Sequence, residues 1–543
     1  MARNQSTKAP PETSSKSRKL AVIFGDQLDC EMPLLARLDP SHDVVLMMEV
    51  SHESRYVPSH VQRTVLFFAA MRHFAEHLRG RGLHVRYVAI DDPENTHSFS
   101  SEVERAVNEL NPSEIVCTWP GEWRVLEDAK SWADRFGVLV TILPDKHFIA
   151  GTDEFSQWAK GRRDLTMEFF YREQRRKTGY LMTGSPAKPE GGTWNFDAEN
   201  RESFGKKGPN PPPPMPLRFE TDAITKRTIK DVRRLLPDLP GHLHEDSEFN
   251  WPVTREQALA SLKHFVKHRL SNFGPYEDAM WTDTLFVYHS VLSSALNLKL
   301  LNPRECSEAA IEAYKKGKAP LQSVEAFVRQ IIGWREFIRG IYWLEGPDYA
   351  MRNGLEQHGA LPEFYWNANT DMNCMKHCIS QVLDLSYGHH IQRLMVTGNF
   401  ALTSGVHPKT ISDWYLGMYV DGIDWVTLPN TLGMVMHADR RPSSAPSETG
   451  LVGTKPYAST GKYIERMSNY CKSCKYDPAT RTGPNACPFT VFYWDFLLRN
   501  RTTFSNNQRM SMMYKNVDQL SEQTRVEITI EAKRLRKRFG IDK

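Results

Sequence analysis

Residues 20–25 read LAVIFG, an uninterrupted apolar run that ends in a Gly–Asp turn at Gly25 and Asp26. Such a run predicts a short strand buried on both faces. Behind it, apolar runs alternate with segments of helical periodicity: strands at 43–50, 84–90, 114–119 and 138–143, and helices at 59–79, 99–110 and 124–136. This alternation predicts a Rossmann-like parallel sheet covered by helices on both faces. No G-x-G-x-x-G pattern follows the first run, so we expect no dinucleotide site of that type.

The rest of the chain has a different pattern. Pro and Gly concentrate at 185–218, which predicts a long, semi-rigid linker. From about residue 254 the periodicity is helical almost throughout, with clear examples at 254–269, 321–344, 374–401 and 409–420. We therefore expect four parts: a disordered tail over 1–18, an α/β domain over 19–150, an interdomain linker with helices over 151–250, and an all-α domain over 251–543.

Composition limits the class of protein. A chain of 543 residues with 40% hydrophobic and 25% charged residues is expected to form two or three soluble globular domains. No run of 18 apolar residues and no secretion signal occur, so we expect a cytoplasmic protein without a membrane partner. The formal charge of +4 neither requires nor excludes nucleic acid. Because no exposed heptad seam is visible, we expect a monomer.

Clustered cysteines give the strongest local chemical signal. Cys471 and Cys474 form a C-x-x-C loop, and Cys487 follows after twelve residues. Three thiolates at this spacing can reach one metal centre, and Cys374 or Cys378, one helical turn apart, could add the fourth ligand. The spacing alone leaves zinc and an iron–sulfur cluster equally open, with unrelated core cysteines as a third possibility.

Several polar residues stand in apolar surroundings. His389 and His390 point about 100° apart on a helix, so only one of them can face a given pocket. A core histidine beside a surface histidine is the simpler interpretation, and a buried proton donor is the alternative. Ser290 and Ser293 could hold phosphates, although Ser is also a common N-cap. Arg335 and Arg339 lie one turn apart on an aromatic helix and need an anion.

These segments together resemble the bacterial iron–sulfur photolyase and cryptochrome family, which comprises (6-4) photolyases and their photoreceptor relatives. The resemblance runs from about residue 19 to 500, in the same order. It rests on these motifs: GDQL (25–28), WREF (334–337), HHIQRLM (389–395), GNFAL (398–402), WYL (414–416), LPN (428–430), GTKPY (453–457), YCxxCxYDP (470–478) and NACPF (485–489).

The resemblance implies an N-terminal antenna domain and a C-terminal helical domain that binds FAD and a 4Fe–4S cluster. The implied cluster ligands are Cys374, Cys471, Cys474 and Cys487, with Cys378 left over. The implied FAD-binding residues are Ser290, Ser293, Gln330, Trp334, Arg335, Arg339, Asn399, Asp421, Thr427 and Asn430. Arg335 or Arg339 is expected to form an ion pair with Asp421 beside the flavin. Thr427 falls at the position that faces flavin N5, where related proteins have an acidic residue or Asn.

The resemblance also implies an electron route through Tyr415, Trp414 and Trp366. His390 matches the active-site histidine beside the lesion, and Tyr457 is a second candidate proton donor because Leu394 replaces the second histidine of the eukaryotic enzymes. A 6,7-dimethyl-8-ribityllumazine antenna is expected to contact these residues: Gly25, Asp26, Gln27 and Glu49.

The implied activity is light-driven repair of (6-4) photoproducts in UV-damaged DNA. Photoexcited reduced FAD would pass an electron to a flipped-out lesion. The protein would be associated with the nucleoid, and the cluster would join distant parts of the helical domain. Two other interpretations remain: a cryptochrome-type blue-light photoreceptor with the same cofactors, and a zinc-stabilised nucleic-acid-binding protein without light chemistry.

Overall fold

A computed structural model describes residues 18–162, 164–243, 249–440 and 450–542. The tail expected over residues 1–18 lies outside the described residues, apart from Arg18.

The N-terminal part contains the predicted parallel sheet. Its strands are β1 (Lys19–Val22), β2 (Val44–Met48), β3 (His84–Val88), β4 (Glu114–Thr118) and β5 (Leu139–Leu143), in the order β3-β2-β1-β4-β5. In the central strand, Leu20 pairs with Val44 on one side and with Ile115 on the other. Order, direction and register confirm the Rossmann-like prediction.

Both faces of the sheet are covered. Leu20 and Val22 belong to a hydrophobic cluster on one face, while Ala21 and Ile23 belong to the larger core on the other face. Two helices that pack against each other, Phe99–Leu110 and Trp123–Phe136, bury residues in the first cluster, and Val61–Gly80 buries residues in the second. Alternate residues of a strand point to opposite faces, so an all-apolar strand is needed at the centre.

The linker segment carries more local structure than its composition predicts. After helices Thr152–Ala159 and Met167–Thr178, β6 (Met182–Thr183) and β7 (Lys188–Pro189) form a small antiparallel pair. Helix Ala223–Leu235 then packs against Val61–Gly80.

The C-terminal part is helical throughout the described residues. Its α-helices are Arg255–His268, Leu270–Phe273, Ser293–Asn297, Pro303–Lys315, Leu321–Val328, Glu336–Glu345, Phe364–Asn367, Asn373–Leu385, Asn399–Ser404, Pro408–Met418, Asp424–Pro429, Gly461–Met467, Pro488–Arg499, Ser511–Asp518 and Glu522–Arg538. Three wide π-helical segments lie between some of them, at Arg329–Arg335, Gln392–Gly398 and Asn430–Val435. Shorter 3-10 turns occur at Leu35–Arg37, Glu190–Gly192, Asp197–Glu199, Pro347–Met351, Tyr470–Ser473 and Gln508–Met510. No described helix meets the length and apolarity needed to cross a membrane.

The continuous helix predicted over 374–401 is wrong. The first helix ends at Leu385, and Ser386 follows in the left-handed conformation with φ of 53°. The helical path resumes only at His390. Gly388 lies in the break, where a Cβ atom would come within 3.3 Å of the Tyr419 ring. This interruption places His389 and His390 at the start of a new helix.

The two parts are joined by hydrogen bonds from the start of helix Val61–Gly80. His60 Nε2 lies 2.9 Å from the Leu383 carbonyl oxygen, and Gln62 donates to the carbonyl of Asp384 at 2.6 Å. Arg63 donates two hydrogen bonds to the Gly422 carbonyl, at 3.1 and 2.9 Å. The N-terminal domain is thereby fixed to the helical domain at residues 383–384 and at Gly422.

Candidate active site

The three π-helical segments carry several of the predicted site residues. Gln330 and Trp334 lie on the first, and Asn430 begins the third; Arg393, which the sequence analysis missed, lies on the second. The second and third segments contact each other, and helix Glu336–Glu345, which continues from the first, packs on Asp424–Pro429. A π turn inserts one extra residue and redirects the side chains that follow it. All four side chains remain partly solvent-accessible, which fits the wall of an open concavity.

A bidentate ion pair lies in this region. Arg393 Nη1 and Nη2 donate to the two carboxylate oxygens of Asp421 at 2.9 and 3.1 Å. Arg393 Nε donates to the Gly388 carbonyl at 2.7 Å, and its guanidinium carbon lies 3.8 Å from the centre of the Tyr419 ring. All three nitrogens of the guanidinium thus donate hydrogen bonds, and the pair combines opposite charges with a defined geometry.

Asp421 therefore does not pair with Arg335 or Arg339, and that prediction is wrong. Arg335 instead lies 3.4 Å from the Glu336 carboxylate, and its guanidinium covers the Phe148 ring at 4.4 Å. Arg339 covers the same ring at 3.8 Å. The two arginines face the sheet domain because the apolar side of their helix packs there. The anion that the sequence analysis expected for Arg335 is the carboxylate of Glu336.

The rings of half-buried His289 and buried His389 stack beside His390. The rings of His289 and His389 are 4.4 Å apart with an interplanar angle of 15°. Both ring nitrogens of His389 and Nε2 of His289 are buried without hydrogen-bond partners among the described residues. Burial lowers the pKa of His289 to about 3 and that of His389 well below its usual value. Both imidazoles are neutral at pH 7, and their unpaired nitrogens can serve a polar ligand.

His390 differs from this pair because it is exposed to solvent. Protein atoms nevertheless surround it, and this burial, followed by the nearby Arg393 charge, lowers the pKa of His390 to about 4. His390 therefore remains accessible to a substrate although protein atoms lie around it. Tyr457, the other predicted donor, is 39% exposed, and burial together with Asp197 raises the pKa of its hydroxyl.

Ser290 and Ser293 are half-buried at the turn before helix Ser293–Asn297. Arg269 fixes this turn, because it donates to the carbonyls of His289 and Ser290 at 2.6 and 3.3 Å. The Ser294 hydroxyl is buried without a partner among the described residues. Unpaired hydroxyl and imidazole atoms in one region are the donors that a cofactor rich in oxygen and nitrogen requires.

The remaining predicted cofactor residues have specific partners. Asn399 is buried and holds Ser459, donating to its carbonyl at 3.0 Å and accepting from its backbone N–H at 3.1 Å. Asn430 donates to the Val426 carbonyl at 2.7 Å. Thr427 is half-buried, and its carbonyl accepts from the Thr431 hydroxyl at 2.8 Å. Asn399 thus positions a neighbouring loop, whereas the Thr427 side chain remains accessible.

An aromatic series leads away from the ion pair. The Tyr415 hydroxyl donates to the Arg393 carbonyl at 2.7 Å, and the Tyr415 and Trp414 rings are 5.5 Å apart. Tyr365 and Tyr419, which sequence reasoning missed, lie 5.2 and 5.7 Å from Trp414. Trp366 is 37% exposed and follows Tyr365 directly in the chain. Nothing in the sequence distinguishes these two tyrosines from ordinary core residues.

The N-terminal domain contains a separate cavity of about 90 Å³ at the carboxyl ends of β1, β2 and β4. Gly25 and Asp26 line it, as predicted, together with Glu53, Glu122 and Arg124, which the sequence analysis missed. Burial raises the pKa of Asp26 to about 6, and its Oδ2 atom has no partner among the described residues. The cavity also includes Leu416 and Ile423 from the helical domain. It therefore lies where open α/β sheets bind ligands.

The other two predicted antenna residues lie outside this cavity. Glu49 is fully buried, and its carboxylate accepts from Arg72, from the Tyr87 hydroxyl and from the Ile90 backbone N–H. Gln27 donates to the carbonyls of Thr118 and Trp119. Both side chains are thus engaged in hydrogen bonds within the N-terminal domain.

The four predicted cysteine ligands converge from three elements. Cys374 lies in the first turn of helix Asn373–Leu385, Cys471 and Cys474 on the turn Tyr470–Ser473 and just after it, and Cys487 caps helix Pro488–Arg499. Burial, followed by the neighbouring thiols of Cys487 and Cys471, raises the pKa of Cys374. As they are arranged, the described residues contain no group of three or more His, Cys, Asp or Glu side chains that could hold a metal ion.

Cys378 is also close, and the Tyr470 hydroxyl hydrogen-bonds to it and thereby limits the rise in its pKa that burial causes. The cysteine loop, residues 470–474, is joined to the rest of the helical domain by side-chain hydrogen bonds. Asn373 donates to the Ser473 hydroxyl at 3.2 Å, and Asn469 donates to the Thr282 hydroxyl at 2.8 Å.

Comparisons with known proteins agree with this architecture. The family model described as "Deoxyribodipyrimidine photo-lyase-related protein" matches residues 21–251. A (6-4) photolyase from Agrobacterium fabrum is 47% identical over 514 residues, which cover 95% of this chain and 98% of that protein. An uncharacterized protein of Acanthamoeba polyphaga mimivirus, R853, is 31% identical over 126 residues, which cover 23% of this chain and 90% of that protein.

Solved structures resemble the chain in fold. A bacterial class III photolyase from Agrobacterium tumefaciens superposes with a TM-score of 0.55 at 13% identity, covering 98% of this chain and all of that one. A cryptochrome from Synechocystis sp. PCC6803 gives a TM-score of 0.53 at 14% identity, covering 85% of this chain and 89% of that one. At such identities the likeness concerns the fold alone.

Proposed function

The chain belongs to the photolyase-related family that includes the (6-4) photolyase of Agrobacterium fabrum, and we propose that it repairs (6-4) photoproducts in UV-damaged DNA by a light-driven reaction. One observation carries this proposal: the 47% identity extends over both domains and nearly the whole length of each protein. The alternative, a cryptochrome-type photoreceptor, draws support only from a fold-level likeness.

FAD supplies the light-driven electron when it is bound. The residues that would hold it are those at the concavity: Ser290, Ser293, Gln330, Trp334, Arg393, Asp421, Thr427 and Asn430. The unpaired nitrogens of His289 and His389 and the Ser294 hydroxyl fit a polar ligand, since a buried polar atom without a partner costs about 1–3 kcal/mol. Thr427 brings no charge to its position, so any hydrogen bond it makes is neutral.

We assign the proton chemistry to His390. With a pKa near 4 it is neutral at pH 7, and it acts as a donor only when an adjacent negative charge raises that pKa. A photoproduct that has accepted an electron provides such a charge. Tyr457 keeps its hydroxyl proton at neutral pH because its pKa is raised, so it can hold the lesion by a hydrogen bond.

We propose that Tyr415 and Trp414 carry electrons toward the site from the surface. Their rings are adjacent, and Tyr415 touches the backbone of Arg393, which forms the ion pair. Trp366 is the surface end of this route because its ring is exposed. Asp421 holds the Arg393 guanidinium beside the route by two hydrogen bonds.

Two further ligands form part of the proposal. A 4Fe–4S cluster would be held by Cys374, Cys471, Cys474 and Cys487, four free thiols from segments far apart in sequence that influence one another electrostatically. A 6,7-dimethyl-8-ribityllumazine antenna would occupy the N-terminal cavity, where the unpaired Asp26 carboxyl and Arg124 offer polar partners. We further propose that the protein acts as a monomer on DNA in the nucleoid of the cytoplasm.

An illuminated repair assay tests the function. Purified protein is given an oligonucleotide with one defined (6-4) lesion, in light and in darkness, and the lesion is quantified while the visible spectrum is recorded. We expect light-dependent loss of the lesion, greatly reduced in His390→Ala and unchanged in the surface control His268→Ala. A lesion that persists although flavin absorption is present contradicts repair and favours the photoreceptor.

A further inference from the structure

A basic ridge consists of Lys206 and Lys207 on the linker loop 201–209 and Lys472 on the cysteine loop. All three lysines are exposed. None of them makes an ion pair with a carboxylate in the part of the chain that the structure describes. By contrast, the neighbouring Lys462 and Lys475 are neutralised by Glu465 and Asp371 at 2.8 and 3.0 Å. The ridge therefore has three uncompensated positive charges.

The linker loop is held in place on a platform of aromatic rings. Phe204 stacks on Tyr276 at 4.7 Å, and the Glu202 backbone N–H donates to the Pro275 carbonyl at 2.9 Å. Gly208 has φ of 80° and lies so close to Trp281 that a Cβ atom would be 2.6 Å from its ring. The backbone of the loop is thereby fixed although its lysine side chains are free.

Lys472 connects this loop to the cysteine loop. Its Nζ donates to the Lys206 carbonyl at 2.7 Å and lies 5.0 Å from the centre of the Trp281 ring. An ammonium group has three donors, so two remain for another acceptor. The platform is in turn joined to the segment before Cys471, because the Met280 N–H donates to the Met467 carbonyl at 2.8 Å. The two loops that carry the three lysines are therefore joined to each other and to the platform.

The position of the ridge relates it to the site. The linker that carries Lys206 and Lys207 comes near the site at Asp197. The charge of Asp197 acts on Tyr457, because it adds to the effect of burial in raising the pKa of that residue. The platform segment continues from Trp281 into His289 and Ser290. A duplex with a base flipped toward His390 would present its backbone to the surface beside the opening.

We propose that this ridge binds the phosphate backbone of duplex DNA beside the lesion, with Lys206, Lys207 and Lys472 each contacting a phosphate. This inference rests on the proposed function and names residues for its DNA contact. Phosphate contacts add affinity without reading sequence or damage, and they release counterions, so they are detected by the salt dependence of binding.

The test measures the dissociation constant of lesion-containing and undamaged duplexes by fluorescence anisotropy over a range of salt concentrations. In K206Q/K207Q/K472Q we expect the slope of log K against log salt to fall by about 2.7, at roughly 0.9 per lost contact, with both duplexes weakened at least about tenfold at physiological salt. The matched control K160Q/K315Q/K318Q removes three exposed lysines elsewhere, and its slope should equal that of the wild type.

A second variant tests the rigidity of the loop without changing its charge. Gly208→Ala drives a methyl group into Trp281 and should also reduce the slope, while circular dichroism confirms an intact fold. If the salt-dependence slope of the triple-lysine variant equals that of the wild type or of the control, the ridge does not bind DNA phosphates, even if repair proceeds. If the wild type and the variants show the expected slopes but the wild type never removes a lesion, the repair function is contradicted. The DNA-binding role of the ridge is then still supported.

Discussion

The ion pair between Arg393 and Asp421 gives the sharpest quantitative prediction. Asp421→Asn removes the carboxylate charge and leaves the guanidinium with one neutral partner beside the Tyr419 ring. The side chains of Arg393 and Asp421 are only 23% and 10% exposed, so solvent compensates little of the loss. Two charge-assisted hydrogen bonds at roughly 1.5 kcal/mol each give a loss of about 3 kcal/mol in the free energy of unfolding. This lies at the lower end of the cost of breaking a buried pair.

A double-mutant cycle measures this pair directly. Urea unfolding is followed for wild type, Asp421→Asn, Arg393→Gln and the double variant, and we expect a coupling energy of about 2–3 kcal/mol because the two groups share both hydrogen bonds. The control pair Lys409–Asp413 lies on helix Pro408–Met418 with both side chains 34% exposed. Its Asp413→Asn variant should cost less than about 1 kcal/mol.

The same variants test whether the pair borders the FAD site. Bound FAD raises the free energy of unfolding by an amount set by its affinity, so Asp421→Asn should reduce this increment while Asp413→Asn leaves it unchanged. A coupling energy no larger than that of the surface pair refutes the stabilising role. An FAD increment that is unchanged in Asp421→Asn refutes the placement of the pair beside the cofactor.

Two other predictions follow from the chemistry of single residues. His60 is fully buried, and burial lowers its pKa from 6.5 to about 4, so the unfolded chain binds the proton first and stability is lost as pH falls from about 6.5 to 4. The loss is about 3 kcal/mol at 1.36 kcal/mol per pH unit, and urea midpoints against pH should be flatter in this range for His60→Gln. Cys374→Ser should remove bound iron and the broad visible absorption, whereas Cys378→Ser, one turn along the same helix, should retain both; equal iron content in the two variants would contradict the assigned ligand set.

The sequence was sufficient to predict the architecture where pattern and packing agree. The all-apolar run at 20–25 could only be a strand covered on both faces, and β1 is indeed the centre of the sheet. The helix expected at 59–79 is observed at Val61–Gly80 for the same reason, since its spaced apolar residues all meet the core. The family motifs single out the cysteines, His390 and Asp421 as candidates, which local periodicity cannot do.

Polar contacts between distant segments could not be read from the sequence. The family resemblance implies Arg335 or Arg339 as the partner of Asp421, but their guanidinium groups cover Phe148, and Arg393 reaches Asp421 from 28 residues away. Glu49 similarly follows a strand at the expected edge, yet the position of Arg72 on a neighbouring helix determines where its carboxylate points. Such pairings depend on tertiary geometry, which no local pattern encodes.

The three π-helical segments explain why the prediction failed at the site in particular. Each segment breaks the 3.6-residue period on which helix reading depends, and each carries or adjoins a polar residue of the concavity. A π turn gives poorer backbone hydrogen bonding than an α turn, so three of them around one concavity are maintained against local preference. Local rules fail where function imposes another demand. Here, function requires that Arg393 is turned toward Asp421 and that Gln330, Trp334 and Asn430 stay open to a ligand. Regular helices at the same positions would not meet these requirements.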